Sequence, residues 1–97
     1  MKFNNLGKAV RTLQDIGLDD IDIAILYMVS YNNDLTITDI IYDCSDIACS
    51  ATIHSRIKKK LQKAKLLKLE ISEVDGRVKN VSKGAKFDVL EERLGGL

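Results

Sequence analysis

The sequence predicts a mainly helical α+β domain of 97 residues into which one small β-hairpin is set. Three observations lead there. Apolar residues recur at helical spacing through most of the chain, and from Leu66 the period switches to two. Charge is also sorted along the length: residues 15–46 hold eight aspartates and no basic residue, while 50–86 hold eleven Lys or Arg against three acids. The formal net charge of +1 therefore conceals a strongly basic half.

The first helix is expected over about Lys2 to Ile16, where Phe3, Leu6, Val10 and Leu13 form one stripe. Gly17 closes it in the left-handed conformation that follows many helices. Asp19 or Asp20 caps the second helix, with Ile21, Ala24, Ile25, Met28 and Val29 facing the core and acids in the first turn. Asn32, Asn33 and Asp34 break the chain. Leu35-Thr36-Ile37 then reads as a short extended piece, and Thr38 with Asp39 opens a third helix carrying Ile40, Ile41 and Cys44.

Residues 45–49 form a turn, after which Ser50 is the expected N-cap of a fourth helix reaching about Lys65. Its buried side holds Ile53, Ile57, Leu61 and Ala64. At about 100° per residue Ala51, Ser55, Lys58, Lys59 and Gln62 then fall on the far side. Small and basic groups face outward together.

Leu67, Leu69 and Ile71 alternate with Lys68, Glu70 and Ser72, as in a half-buried strand. Asp75-Gly76 is a strong hairpin signal. A three-residue loop, 75–77, opposes Val74 to Val78, Glu73 to Lys79 and Ile71 to Val81. It is preferred over a two-residue loop because it pairs apolar with apolar and acid with base. A last helix, roughly Ala85 to Leu94, carries Phe87, Leu90 and Leu94 on one side and ends at Gly95-Gly96.

No run approaches the ~20 apolar residues of a spanning helix, and the start lacks a signal-peptide core, so a cytoplasmic protein without membrane contact is expected. Cys44 and Cys49 have no second Cys or His pair to complete a zinc site and read as small buried hydrophobes. His54 stands alone beside the lysines, and no nucleophile–base arrangement is recognisable. Neither an enzyme, a metal nor a cofactor is expected.

A basic helix followed by a basic hairpin is the footprint of a winged-helix nucleic-acid binder, because phosphates need clustered cations on a rigid element that aims them. In order and spacing the chain resembles the MarR-type winged helix-turn-helix regulators over about residues 20–94. The matching residues are Leu35-Thr36-Ile37-Thr38, Ser50-Ala51-Thr52-Ile53, Leu61 through Leu67 leading to the wing, Asp75-Gly76-Arg77 at its tip, and Val81-Ser82-Lys83-Gly84. The resemblance implies that the fourth helix lies in the major groove and that Arg77 reaches the minor groove. Asp75 then steadies Arg77 or pairs with Arg56.

The expected function is sequence-specific binding of double-stranded DNA in transcription regulation. Phosphates would be met by Lys58, Lys59, Lys63 and Lys79, and bases by Ala51, Thr52 and Ser55, with His54 or Arg56 as further candidates and Ser50 also in the DNA-binding set. One domain spans 1–97: an N-terminal helix to residue 17, helix-turn-helix and wing over 18–83, and a C-terminal helix over 84–97. A homodimer is expected, with Phe3, Leu6, Val10 and Leu13 completed by Phe87, Leu90 and Leu94 across the two-fold axis. The shortness of the chain puts a small-molecule effector in doubt. The alternative reading is a winged-helix module that binds protein and not DNA.

Overall fold

Local capping sets where the helices begin. The computed structural model describes residues 6–32 and 35–95, and the side chains of Leu6, Val78 and Lys79 fall outside that description. Helix α1 spans Leu6–Asp15 and turns Ala9 and Leu13 into the core. Gly17 then takes φ +93°, the left-handed conformation expected of it. Helix α2, Asp20–Tyr31, is capped by Asp19: the Asp22 N–H donates to Asp19 Oδ1 at 3.0 Å and the Asp19 N–H to Asp22 Oδ2 at 3.1 Å. This reciprocal box satisfies two N-terminal donors that the helix itself cannot.

The same device starts α3, Ile37–Asp43, one residue before the expected opening. Thr36 Oγ1 accepts from the Asp39 N–H at 3.0 Å, and Asp39 Oδ2 accepts from the Thr36 N–H at 3.1 Å. Thr-x-x-Asp puts Asp39 in the third helical position, so Ile37 belongs to the helix and only Leu35 stays extended. Leu35 makes a single antiparallel bridge to Val81, whose N–H donates to the Leu35 carbonyl at 2.7 Å.

Helix α4, Ser50–Ser55, continues without a break as a π-helical segment, Arg56–Leu61. The wide turn is visible in the Gln62 N–H, which donates to the Ile57 carbonyl five residues back at 3.0 Å. Ile53, Ile57 and Leu61 are fully buried, as expected. Ala64 is not: it is exposed, because each residue of the π segment advances less than an α residue does, and the lag has reached roughly a quarter of a turn by that point. Ser50 is the first helical residue rather than the cap; Cys49 holds the cap position, without a side-chain bond to the backbone.

Strands β1, Leu67–Ile71, and β2, Val78–Lys83, form a two-stranded antiparallel sheet. Leu67 opposes Lys83, Leu69 opposes Val81 and Ile71 opposes Val78, with a bulge after Glu70. This differs from the expected register, in which Ile71 faced Val81. Burial explains the difference: Leu67 and Val81 are 2% and 1% exposed whereas Ile71 and Val74 are 55% and 96% exposed. Only residues that reach the core can fix register, and the tip has no core to reach. The loop is correspondingly longer, closed by the Ser72 N–H donating to the Arg77 carbonyl at 2.8 Å.

Helix α5, Phe87–Gly95, returns to the core through Phe87, Leu90 and Leu94. Lys83 ties it to the sheet, pairing with Glu91 at 2.9 Å and lying 5.3 Å from the Phe87 ring centre. Behind the π segment Lys65 takes φ +61°, and its carbonyl accepts from the Lys86 N–H at 2.9 Å while that of Leu66 accepts from the Gly84 N–H at 3.0 Å. The two turns press together. A Cβ on Gly84 would overlap the Lys65 carbonyl oxygen and sit 2.9 Å from the Leu66 carbonyl carbon.

Gly84→Ala must therefore push backbone apart where no flexible side chain can yield. The expected loss is roughly 1–3 kcal/mol, read as a fall in Tm of several degrees by calorimetry. An unchanged Tm would show that the two turns are not held in contact.

Candidate nucleic-acid interface

Burial of Ile53, Ile57 and Leu61 decides which side of α4 and its π extension faces water. Ala51, His54, Ser55, Lys58, Lys59 and Lys63 are exposed, Thr52 is half-buried, and Ser50 is exposed at the start. The expected outward set is thus on the surface together. Thr52 is engaged locally, its Oγ1 lying 3.2 Å from the Cys49 sulfur. That hydrogen bond holds the Cys49 thiol below its usual pKa. Cys49 is exposed, contrary to the expectation that both cysteines are buried; only Cys44 is buried, and burial pushes its thiol up.

Arg56 departs from its expected place as a base reader or a partner of Asp75. It leaves the outward face and pairs with the N-terminus of α2, bonding Asp19 and, at 3.2 Å, Asp22 Oδ2. Lys60, one step further along the π segment, bonds the same Asp22 oxygen. Asp22 is fully buried, and its other oxygen has no hydrogen-bond partner among the described residues. A carboxylate enclosed this way binds cations strongly, because water cannot compete for it. The Arg56 guanidinium, as hydrogen-bond donor, draws the Asp19 carboxyl from 3.8 down to about 2, and Arg56 is itself pushed up, chiefly by that bond.

Asp22 is the residue that sequence reasoning missed. It continues the series Asp22, Ile25, Leu26, Val29, which is the buried face of α2 at helical spacing. The stripe drawn through Ile21, Ala24 and Met28 lies one residue round the helix, on a half-buried side. Because α2 is apolar nearly all round, either stripe satisfies the pattern.

At the wing tip Asp75 steadies Arg77, the first of its two expected roles. Asp75 Oδ1 accepts from the Arg77 N–H at 3.0 Å, and Oδ2 lies 3.8 Å from the Arg77 Nε. The Arg77 side chain is 87% exposed. It lines a cleft of about 400 Å³ with Gly76, with His54 and Lys58 of the helix, and with the start of α3 at Thr36 to Ile41. Helix and wing cations, 19 or more residues apart in sequence, share one concave surface. Lys79 falls on β2, and its side chain lies outside the described residues.

The residues expected at a dimer seam have a different fate. Leu13, Phe87, Leu90 and Leu94 are at most 5% exposed within the single chain, so they are core and offer no free surface. Val10 is half-buried, and Phe3 and the Leu6 side chain lie outside the described residues. The last helix folds onto its own chain, with Phe87, Leu90 and Leu94 in the same buried cluster as Leu13 and Val81. Among the described residues there is no helix long and apolar enough to cross a membrane and no group of three or more potential metal ligands.

No family model matches the chain, and no curated protein matches it. A solved structure of a MepR mutant from S. aureus is similar in fold, with a TM-score of 0.71 over 91% of this chain at 20% sequence identity. This chain spans 64% of the length of that one. MepR is a MarR-family winged-helix regulator, and the likeness shows the fold: this chain folds as a MarR-like winged helix.

The Asp22 cluster makes two measurable claims. Asp22→Ala leaves Lys60 without its partner and Arg56 with Asp19 alone, and is expected to cost about 3 kcal/mol in urea denaturation, the lower part of the range because both cations keep some solvent. Asp19 has a depressed folded pKa, so its contribution is present above the unfolded value near 3.8 and lost as pH falls towards about 2. The stability gap between wild type and Asp19→Asn, about 1 kcal/mol after solvent screening, is expected to close across that window. A gap that does not change there would contradict the pairing.

Proposed function

We propose that this chain binds double-stranded DNA, with α4 and its π extension in the major groove and Arg77 in the minor groove, and regulates transcription in the cytoplasm as a homodimer. The observation that carries the reading is the cleft in which Lys58 and His54 meet Arg77, with the acids held behind the helix by Arg56 and Lys60. A duplex approaching that surface meets cations from two elements at once. The MarR-type fold supports the same docking, since its second helix and wing are the elements that face DNA in the family the chain resembles.

The roles divide by chemistry. Lys58, Lys59, Lys63 and Lys79 neutralise phosphates, while Ala51, Ser55, His54 and the partly covered Thr52 are small or polar enough to approach base edges. Ser50 sits at the first turn, close to the backbone of the duplex. Arg77 is presented by Asp75, and a narrow A·T-rich minor groove concentrates the negative potential that a guanidinium fills. Arg56 takes no part in readout. The homodimer rests on reach: one helix of this length covers a few base pairs, and a symmetric copy supplies the second half-site.

Binding to random duplex DNA over a salt series tests the reading. Affinity is expected to fall steeply with salt, and Lys58→Glu with Lys59→Glu to weaken binding roughly 100-fold while the circular dichroism spectrum stays that of the folded chain. Salt-independent binding, or full binding by the double variant, would defeat it. Arg77→Ala is expected to weaken binding about tenfold on sites with A·T-rich flanks and much less on G·C-rich ones. Equal losses on both would remove Arg77 from the minor groove.

A further inference from the structure

We propose that a second surface, an apolar groove between α1, α2 and the turn after α3, docks a basic amphipathic helix of a partner protein. The groove has a volume of about 470 Å³ and shares no lining residue with the cleft of Arg77 and Lys58. Val10 and Leu13 form one wall, Ala24 and Tyr27 the other. Met28 and Cys44 lie side by side in it with their sulfurs 3.9 Å apart, a soft lining that adapts to varied side chains. Tyr27 and Ile47, both lining residues, remain 49% and 51% exposed, so the described residues leave the groove open.

Charge selects the occupant. The charged lining residues are Asp20 and Asp43, both exposed, and they belong to the stretch 15–46 that has eight aspartates and no lysine or arginine. A helix that places apolar residues at i, i+3, i+4 and i+7 and lysines beside them fills the groove and pairs with both rims. A second copy seated symmetrically would bring Asp20 and Asp43 against the same acids of its twin, because an isologous interface repeats one patch on both sides. An acidic partner meets the same repulsion. The groove thus gives a DNA-binding chain a separate protein contact, and the inference stands whether or not the DNA reading does.

The test uses the whole chain and two synthetic helical peptides with the same leucine pattern, one with lysine and one with glutamate at every polar position. Fluorescence anisotropy is expected to show the leucine–lysine peptide bound roughly tenfold or more tighter than the leucine–glutamate one. Asp20→Lys with Asp43→Lys is expected to remove that preference, and Ala24→Trp, which fills the groove, to abolish binding of the lysine peptide. Ile47→Lys at the exposed rim serves the same purpose if Ala24→Trp does not fold. DNA binding by folded Ala24→Trp, which changes no charge, is expected to stay within about twofold of wild type. Equal binding of both peptides, or lysine-peptide binding unchanged in Ala24→Trp and Ile47→Lys, would overturn the proposal. So would sedimentation showing a dimer that Ile47→Lys dissociates, since the groove would then be a seam between copies.

Discussion

A buried carboxylate governs how the second helix of the pair is set. Asp22 is enclosed at the start of α2 and accepts from Arg56 and Lys60 across the interface with the π segment. Ile53, Ile57 and Leu61 would hold the helix down through apolar burial alone, but apolar contact tolerates rotation and sliding. An ion pair does not, because turning the helix strands a charge in the core. The cluster therefore contributes less to adhesion than to aim. By drawing Arg56 and Lys60 inward it leaves Lys58 and Lys59 as the exposed cations of the segment, with Lys63 exposed just beyond it.

The wing answers to a different constraint. Its base is tied to the core by Leu67, Val81 and the Leu35 bridge, and its tip is free of the core altogether. Asp75 supplies locally what packing cannot, orienting Arg77 through one backbone and one side-chain contact. Rigid base and locally braced tip suit an element that must reach a groove at a fixed distance from the helix. The pressed turns at Lys65 and Gly84 set that distance, since they join the end of the π segment to the strand that leads out of the wing.

Much of this was legible from residues alone. The switch to a period of two at Leu67, Gly17 as a stop, Asp19 as a cap, and the outward basic face all follow from local rules that tertiary packing did not override. The departures have physical causes. Arg56 reads as one of the binding cations because no residue pattern separates a cation that faces water from one that faces a buried aspartate 34 residues away in sequence. Nothing in Arg56–Leu61 signals a π turn, so Ala64 was placed inside by a step of about 100° that the chain does not keep. The wing register was drawn from Ile71 and Val74, apolar residues that the fold leaves in solvent. Leu13, Phe87, Leu90 and Leu94 read as a seam between copies because apolar stripes that meet within one chain look the same in sequence as stripes that meet across a two-fold axis.

The central claim is that Asp22 divides the cations of one helix into a structural pair and a binding set. Comparing Lys59→Gln with Lys60→Gln tests it most directly, by the slope of log affinity for duplex DNA against log salt together with the Tm of each variant. Lys59→Gln is expected to reduce the slope by about 0.9 and leave Tm nearly unchanged, whereas Lys60→Gln lowers Tm and leaves the slope as it was. Equal reductions in slope, or a Tm that Lys60→Gln does not move, would contradict the account.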